Sequence, residues 1–475
     1  MTLVRLWLAT QIGLTDDEAY YRLWALAPAM SYFDHPPMVG WMIAAGRWVA
    51  GDNPLGIRLM AVLVSLLGPL VLWRTAAILF GPGIARRAVW IALAMPLLAV
   101  GGVIVTPDTP SVLFWGLAGW ALAELHVSRN ANWWLVVGAF AGLGLLSKYS
   151  NLFVGAGILL WVVLFAPNRP WLRSWQLWAG GAVALLLAVP VLVWNAQHDW
   201  VSLAKQFGRV GQGRDLTIVY IAELAGGSVG LMSPVIAILA VLGLARVVRS
   251  APSANDQSSA LLAAGMLPFL SYLLLHSVYD RVQANWMAPL YPSFAICAAI
   301  ALGGIEAPRR LGQVVGKLGR WAIAIGFVLS GLLYWHTVQP FVQVPGQRDP
   351  TSQTRGWREF AAEVERLRAS TGACWIATSS YATTGQLAYQ LEDKAPVAQL
   401  TERIRYLHLP SIDAGVLSCP ALYVELERRS SQSLLQQRFR SVDRLENITR
   451  NYRGIPIATY AVYFVAGPEP SALLR

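Results

Sequence analysis

The 475-residue chain is 56% hydrophobic and only 13% charged, about half the charge of an ordinary soluble domain. Apolar stretches long enough to cross a hydrocarbon core of about 30 Å recur from Leu55 to His336, and a soluble protein would need a very large core to hide them. The net charge of +11 does not point to nucleic acid, because the basic residues fall between apolar segments rather than on one face.

Taken in chain order, Leu3 to Ile12 is too short to span a bilayer alone, so either the first helix is shortened or the true start lies upstream. Residues from about Pro28 to Trp48, with Tyr32, Phe33, Trp41 and Trp48 interspersed, read as juxtamembrane helices at the interface. Ten spans follow: Leu55–Phe80, Val89–Val105, Ser111–Val127, Trp133–Leu146, Leu152–Phe165, Leu177–Val193, Val219–Leu244, Ala260–His276, Met287–Leu302 and Trp321–Thr337. With the first segment this gives ten or eleven helices, and the 21 tryptophans fit interfacial anchoring.

Alternate loops are short and basic: Arg86 and Arg87, Arg129, Arg169 and Arg173, Arg246 and Arg249, and the run from Arg309 to Arg320. The positive-inside rule places these in the cytoplasm. The opposite loops, expected outside, carry Asp16-Asp17-Glu18, Asp34-His35-Pro36-Pro37, Thr106-Pro107-Asp108-Thr109-Pro110, Lys148-Tyr149, His198-Asp199, and Asp280-Arg281 with Asn285. Ionisable groups beside lipid are costly and usually face a cavity or water, so this one-sided gathering marks a candidate site.

After Gln339 the pattern turns polar. Trp357–Arg368 reads as an amphipathic helix with Phe360, Val364 and Leu367 on one face, and Thr384–Gln390 as a helix or its start. Gly372–Thr378, Pro420–Leu426 and Ile457–Val465 read as strands. The expected organisation is a membrane domain over 1–338, with outer-face juxtamembrane helices around 16–50, and a soluble α/β or α+β domain over 339–475. The three cysteines have no metal-like spacing. Cys297 reads as a small buried side chain, and Cys374 and Cys419 could pair in an oxidising compartment.

Asp17-Glu18-Ala19-Tyr20-Tyr21 followed by Tyr32-Phe33-Asp34-His35-Pro36-Pro37 resembles the signature of polytopic glycosyltransferases that use polyprenyl-phosphate sugars. This is the GT-C type that includes bacterial aminoarabinose–lipid A transferases and protein O-mannosyltransferases. The resemblance continues, in the family's order, through Pro107-Asp108-Thr109-Pro110, Gly144-Leu145-Leu146-Ser147-Lys148-Tyr149 and Trp286-Met287-Ala288-Pro289-Leu290-Tyr291-Pro292. It implies an all-α polytopic fold with a C-terminal soluble domain in a bacterial inner membrane, the site and that domain being periplasmic. It implies inverting transfer of a sugar to an envelope lipid, glycan or protein acceptor.

Carried over residue by residue, the resemblance makes Asp17 the catalytic carboxylate, with Asp16 immediately before it. A carboxylate can take the acceptor hydroxyl's proton and stabilise charge developing on the sugar ring. Glu18 either orients Asp17 or caps the following helix. Asp108 either binds acceptor, or supports the first loop, or caps its own helix. His35, Lys148 and Arg281 are the candidates for the donor phosphate. Tyr20, Tyr21, Asp280 and Asn285 are candidates for acceptor binding or loop support. The resemblance would set any divalent metal between Asp34 and His198, but two ligands fall short of an ordinary zinc site, and no cofactor is expected to be required. Two other classes stay open from sequence: a transporter, which should carry mid-membrane coupling groups and repeats, and a non-enzymatic subunit for assembly of envelope polysaccharide.

Overall fold

In the computed structural model, residues 1–208, 216–253, 256–303, 309–342 and 346–468 are described. Among these described residues, five helices are long and apolar enough to cross a membrane: Pro54–Phe80, Trp175–Gln197, Gln257–His276, Ala284–Gly303 and Lys317–Val338. Two pairs bent by about a right angle, Tyr149–Leu164 with Ala166–Arg173 and Val219–Met232 with Pro234–Ser250, bring the number to seven. The other apolar segments form helices that are shorter or more polar than a full span, such as Trp133–Leu145 and Asp108–Ser128.

The stretch read from sequence as a single span over Val219–Leu244 is therefore two helices meeting at 109°. The cause is local. Pro234 opens the second helix, and the residue before a proline is pushed out of the helical region. Ser233 takes φ +78, which ends the first helix at Met232.

Packing density divides the chain into two units, one of Met1–Leu6, Asp34–Val39 and Met60–Tyr334, the other of Trp7–Phe33, Gly40–Leu59 and Trp335–Arg475. In the first, helix pairs approach closely where glycine removes a side chain, as expected between membrane helices. A Cβ on Gly138 would lie 2.0 Å from the Gly180 carbonyl oxygen, and one on Gly243 would lie 1.8 Å from that of Cys297. Cys297 is fully buried at this crossing.

The second unit contains a five-stranded sheet. Its strands are β1 (Trp375–Thr378), β2 (Val397–Gln399), β3 (Ala421–Leu426), β4 (Phe439–Tyr452) and β5 (Ile455–Pro468), in the order β2-β1-β3-β5-β4. The β2-β1-β3 half is parallel and the β3-β5-β4 half antiparallel, giving a mixed α/β domain. Helix Trp357–Thr371 covers one face through Phe360, Val364 and Leu367, the residues its spacing indicated. Cys374 and Cys419 stand just before neighbouring strands, where the Cys374 N–H donates to the Pro420 carbonyl at 2.9 Å, and both are free thiols.

Candidate active site

The Asp16-Asp17-Glu18 trio forms the first turn of helix Asp16–Leu26, where acidic side chains suit the positive end of the helix dipole. Its three carboxylates have different environments. Glu18 closes a capping box with Thr15: the Thr15 N–H donates to Glu18 Oε2 at 3.0 Å, and the Glu18 N–H to Thr15 Oγ1 at 3.2 Å. Glu18 is also gripped at both oxygens by Arg58, at 2.8 and 2.6 Å, with both residues fully buried. The Arg58 guanidinium further donates to the carbonyls of Ala9, Ile12 and Gly13, which satisfies the C-terminal end of helix Thr2–Gln11.

Asp16 accepts from Gln386 Nε2 at 3.2 Å, and the same amide donates to the Leu14 carbonyl at 2.9 Å. Burial pushes its carboxyl above the ordinary range, against the Gln386 hydrogen bond and the more distant Arg450 and Arg429. Asp17 is partly exposed and accepts a hydrogen bond from the Tyr381 phenol at 3.2 Å. The Asp17 charge, followed by burial, pushes the Tyr381 phenol well above its usual range, so it stays a donor.

Tyr381 begins helix Tyr381–Gln390, which packs along helix Asp16–Leu26 so tightly that a Cβ on Gly385 would lie 2.8 Å from the Tyr20 nitrogen. Arg405, salt-bridged to Glu402, lies over the rings of Tyr381, Phe33 and Tyr20 at 5.3, 5.5 and 5.9 Å. Tyr20 and Tyr21 are buried in this aromatic cluster, each against Trp24, which stacks on Tyr32. They hold the helix in place by packing.

The first unit gathers a second set. Met38 N–H donates to the Leu146 carbonyl at 3.0 Å, which ties the segment after Pro36-Pro37 to the one carrying Lys148. Lys148 Nζ donates to Asp108 Oδ1 at 2.6 Å, and Asn285 Nδ2 reaches Asp108 Oδ2 at 3.4 Å. Asp108 thus spends its carboxylate on these partners rather than on a cap, although it opens helix Asp108–Ser128. His35 is partly exposed on the same segment as Asp34, whose carboxylate pairs with Lys205.

Arg281 is exposed and paired with Glu223 at 2.7 Å, and its backbone N–H donates to Asp280 at 2.7 Å. His198 stacks on Trp194 and its Nδ1 lies 2.7 Å from the Trp194 carbonyl oxygen. Among the described residues no group of three or more His, Cys, Asp or Glu side chains is placed to hold a metal ion. Beside the Asp108 cluster lies a cavity of about 350 Å³, lined by Asp108, Asn285 and Arg5 among mostly apolar side chains.

Tyr381, Gln386 and Arg405 were not legible from sequence, since nothing in their neighbourhood carries a motif. Arg58 did leave a signal: it is a lone arginine at the end of an apolar span expected to face outward, where the positive-inside rule gives it no reason to stand.

A family model described as dolichyl-phosphate-mannose-protein mannosyltransferase matches residues 34–194. The lipid A galacturonosyltransferase RgtD of Rhizobium johnstonii is 26% identical over 381 residues, covering 79% of this chain and 77% of that protein. The crystal structure of ArnT from Cupriavidus metallidurans superposes with a TM-score of 0.65, at 16% identity, over 98% of this chain and 97% of that one. The chain is thus similar over most of its length to a lipid A sugar transferase, and it shares the fold of ArnT. The undecaprenyl phosphate-α-4-amino-4-deoxy-L-arabinose arabinosyl transferase of Pseudomonas aeruginosa is 30% identical over a shorter stretch of 173 residues, 34% of this chain and 30% of that enzyme.

Proposed function

We propose that this chain is a glycosyltransferase that moves a sugar from a polyprenyl-phosphate carrier to a lipid A-type glycolipid at the outer face of the bacterial inner membrane, with inversion at the anomeric carbon. The acceptor hydroxyl attacks that carbon and gives its proton to the Asp17 carboxylate. The bond to phosphate breaks, and polyprenyl phosphate leaves as a stabilised anion that needs little acid assistance. Because relatives matched over most of both chains include a lipid A galacturonosyltransferase and a lipopolysaccharide core galacturonosyltransferase, a hexuronic acid is the sugar favoured over aminoarabinose.

The observation that carries the mechanism is the division within the acidic trio. Glu18 is locked by Arg58, and Asp16 is held by the Gln386 amide with its carboxyl pushed up by burial, whereas Asp17 accepts from the Tyr381 phenol, which the Asp17 charge and burial keep above its usual range. His35 and Lys148 serve the donor phosphate, and Asp108 with Asn285 fixes Lys148 in place. The mostly apolar cavity suits an isoprenoid tail. An ArnT structure with undecaprenyl phosphate bound shares the fold at a TM-score of 0.61 and supports a lipid-linked donor.

The test uses purified protein in bilayer discs, supplied with a polyprenyl-phosphate hexuronic acid and lipid A, and reads the product's anomeric configuration by NMR. A product of opposite configuration to the donor is expected. Retention would require a covalent intermediate and remove the single-base mechanism. Transfer from an aminoarabinose donor alone would remove the sugar assignment.

Tyr381→Phe provides a finer check in the same assay. A hydrogen bond to a charged group contributes roughly 1.5–3 kcal/mol, so kcat should fall about tenfold while the donor KM stays unchanged. An unchanged kcat would show that the phenol does not position Asp17.

A further inference from the structure

Four carboxylates are buried among the described residues: Glu18, Asp34, Asp349 and Glu425. Three of them sit against a cation, Glu18 against Arg58, Asp34 against Lys205 and Asp349 against Arg355. Glu425, fully buried near the end of β3, pairs with no cation among the described residues. Taking a carboxylate out of water without a cation is costly unless hydrogen bonds satisfy both oxygens. The donors around Glu425 therefore show what it holds in place.

Its two oxygens accept four hydrogen bonds. The Leu426 N–H at 2.9 Å and the hydroxyls of Ser380 and Thr383, each at 3.0 Å, donate to Oε1, and the Ser379 N–H donates to Oε2 at 3.0 Å. Apart from Leu426, these donors all lie in the turn that leads from β1 into helix Tyr381–Gln390. Ser380 caps that helix, its Oγ accepting from the Thr383 N–H at 3.4 Å, and a carboxylate suits the positive end of the helix dipole. The other side of the turn is held as well: Thr401 Oγ1 donates to the Ser379 carbonyl at 2.7 Å, and the Ser379 hydroxyl is hydrogen-bonded to the Tyr423 phenol.

The first residue of this helix is Tyr381, whose phenol donates to Asp17. Ser380 alone would serve as a cap. What Glu425 adds is a fixed place for the cap and the first helical turn against β3, and hence for the residue between them. We propose that Glu425 is a positioning residue for sugar transfer: it sets where helix Tyr381–Gln390 starts and so holds the Tyr381 phenol on Asp17, an inference that rests on Asp17 being the base.

Glu425→Gln keeps the shape of the side chain but not its hydrogen bonds. The Ser379 and Leu426 N–H groups are bound at different oxygens, and an amide has only one, so one N–H is left facing an NH2 group. In the bilayer-disc assay with polyprenyl-phosphate hexuronic acid and lipid A, kcat should fall about tenfold while the donor KM stays unchanged, as expected for Tyr381→Phe. In a Tyr381→Phe background the same substitution should lower kcat by less than about twofold more, because residues acting through one contact are not additive. Thr383→Val removes a single donor and should show the same pattern with a loss of about threefold. It carries the test if Glu425→Gln does not fold.

An unchanged kcat in Glu425→Gln overturns the proposal, as does a loss that appears in KM instead. So does a double variant in which the two losses multiply to about a hundredfold, since a general weakening of the domain would act independently of the Tyr381 phenol. Asp17→Asn separates this inference from the reading beneath it. If that variant keeps its turnover, both fall together. If it is inactive while the Glu425 and Tyr381 losses multiply, Asp17 remains the base and only the role of Glu425 is overturned.

Discussion

Asp17→Asn lowers sugar transfer by about 10²–10⁴-fold, the range for losing a positioned general base, and leaves the thermal midpoint of the purified protein unchanged. Asparagine keeps the size of the side chain and can still accept from Tyr381, whose hydrogen bond to Asp17 is 3.2 Å long. What it loses is the negative charge and the ability to take a proton. Asp16→Asn is the informative neighbour. The Gln386 amide donates to Asp16, and the oxygen of an asparagine amide can accept the same hydrogen bond, so this variant should retain activity within a few fold of wild type. Were Asp16→Asn the inactive variant and Asp17→Asn the active one, the catalytic assignment would move by one residue.

Glu18→Ala, by contrast, acts on stability. It leaves Arg58 as a fully buried cation without its carboxylate, a change that costs roughly 3–5 kcal/mol, and it removes half of a capping box worth about 1 kcal/mol. A fall in thermal midpoint on the order of 10 °C is expected for a unit of this size. The double variant Glu18→Met/Arg58→Met removes both charges together and should recover much of that loss. A Glu18→Ala protein with wild-type stability and no activity would mean that Glu18 takes part in the chemistry. The two neighbouring carboxylates are thus separated by one pair of measurements: one change moves turnover, the other moves melting.

The membrane character and the order of the motifs were legible because hydropathy acts over whole segments and the spans carry few charges; the helix bounds were less so, since Val89–Val105 breaks at Met95-Pro96 into Pro82–Ala94 and Pro96–Val100. The bend at Ser233-Pro234 was written in the sequence as a proline after a serine, but a run of apolar residues on both sides hid it. Strand β4 was missed for the opposite reason. It is an exposed edge, and its Arg440, Asp443, Arg444, Glu446 and Arg450 break the alternation that marks a strand. Its turn was readable, since Arg453-Gly454 supplies two residues with positive φ between Tyr452 and Ile455, as a tight hairpin requires.

Within the site, the acidic trio, Asp108, Lys148 and Asn285 were found because each stands in a short polar motif between apolar segments. The separate roles of Asp16, Asp17 and Glu18 could not be read there, because they depend on Arg58, Gln386 and Tyr381, which lie 40 to 370 residues away in sequence.

The most direct test of the account is mass spectrometry of lipid extracts from matched cells carrying either the wild-type protein or Asp17→Asn. A polyprenyl-phosphate sugar is expected to accumulate in the variant while an envelope glycolipid loses the same sugar mass, which identifies donor and acceptor together. If neither pool changes although the variant is inserted at wild-type levels, Asp17 is not the catalytic carboxylate and the transfer proposed here is contradicted.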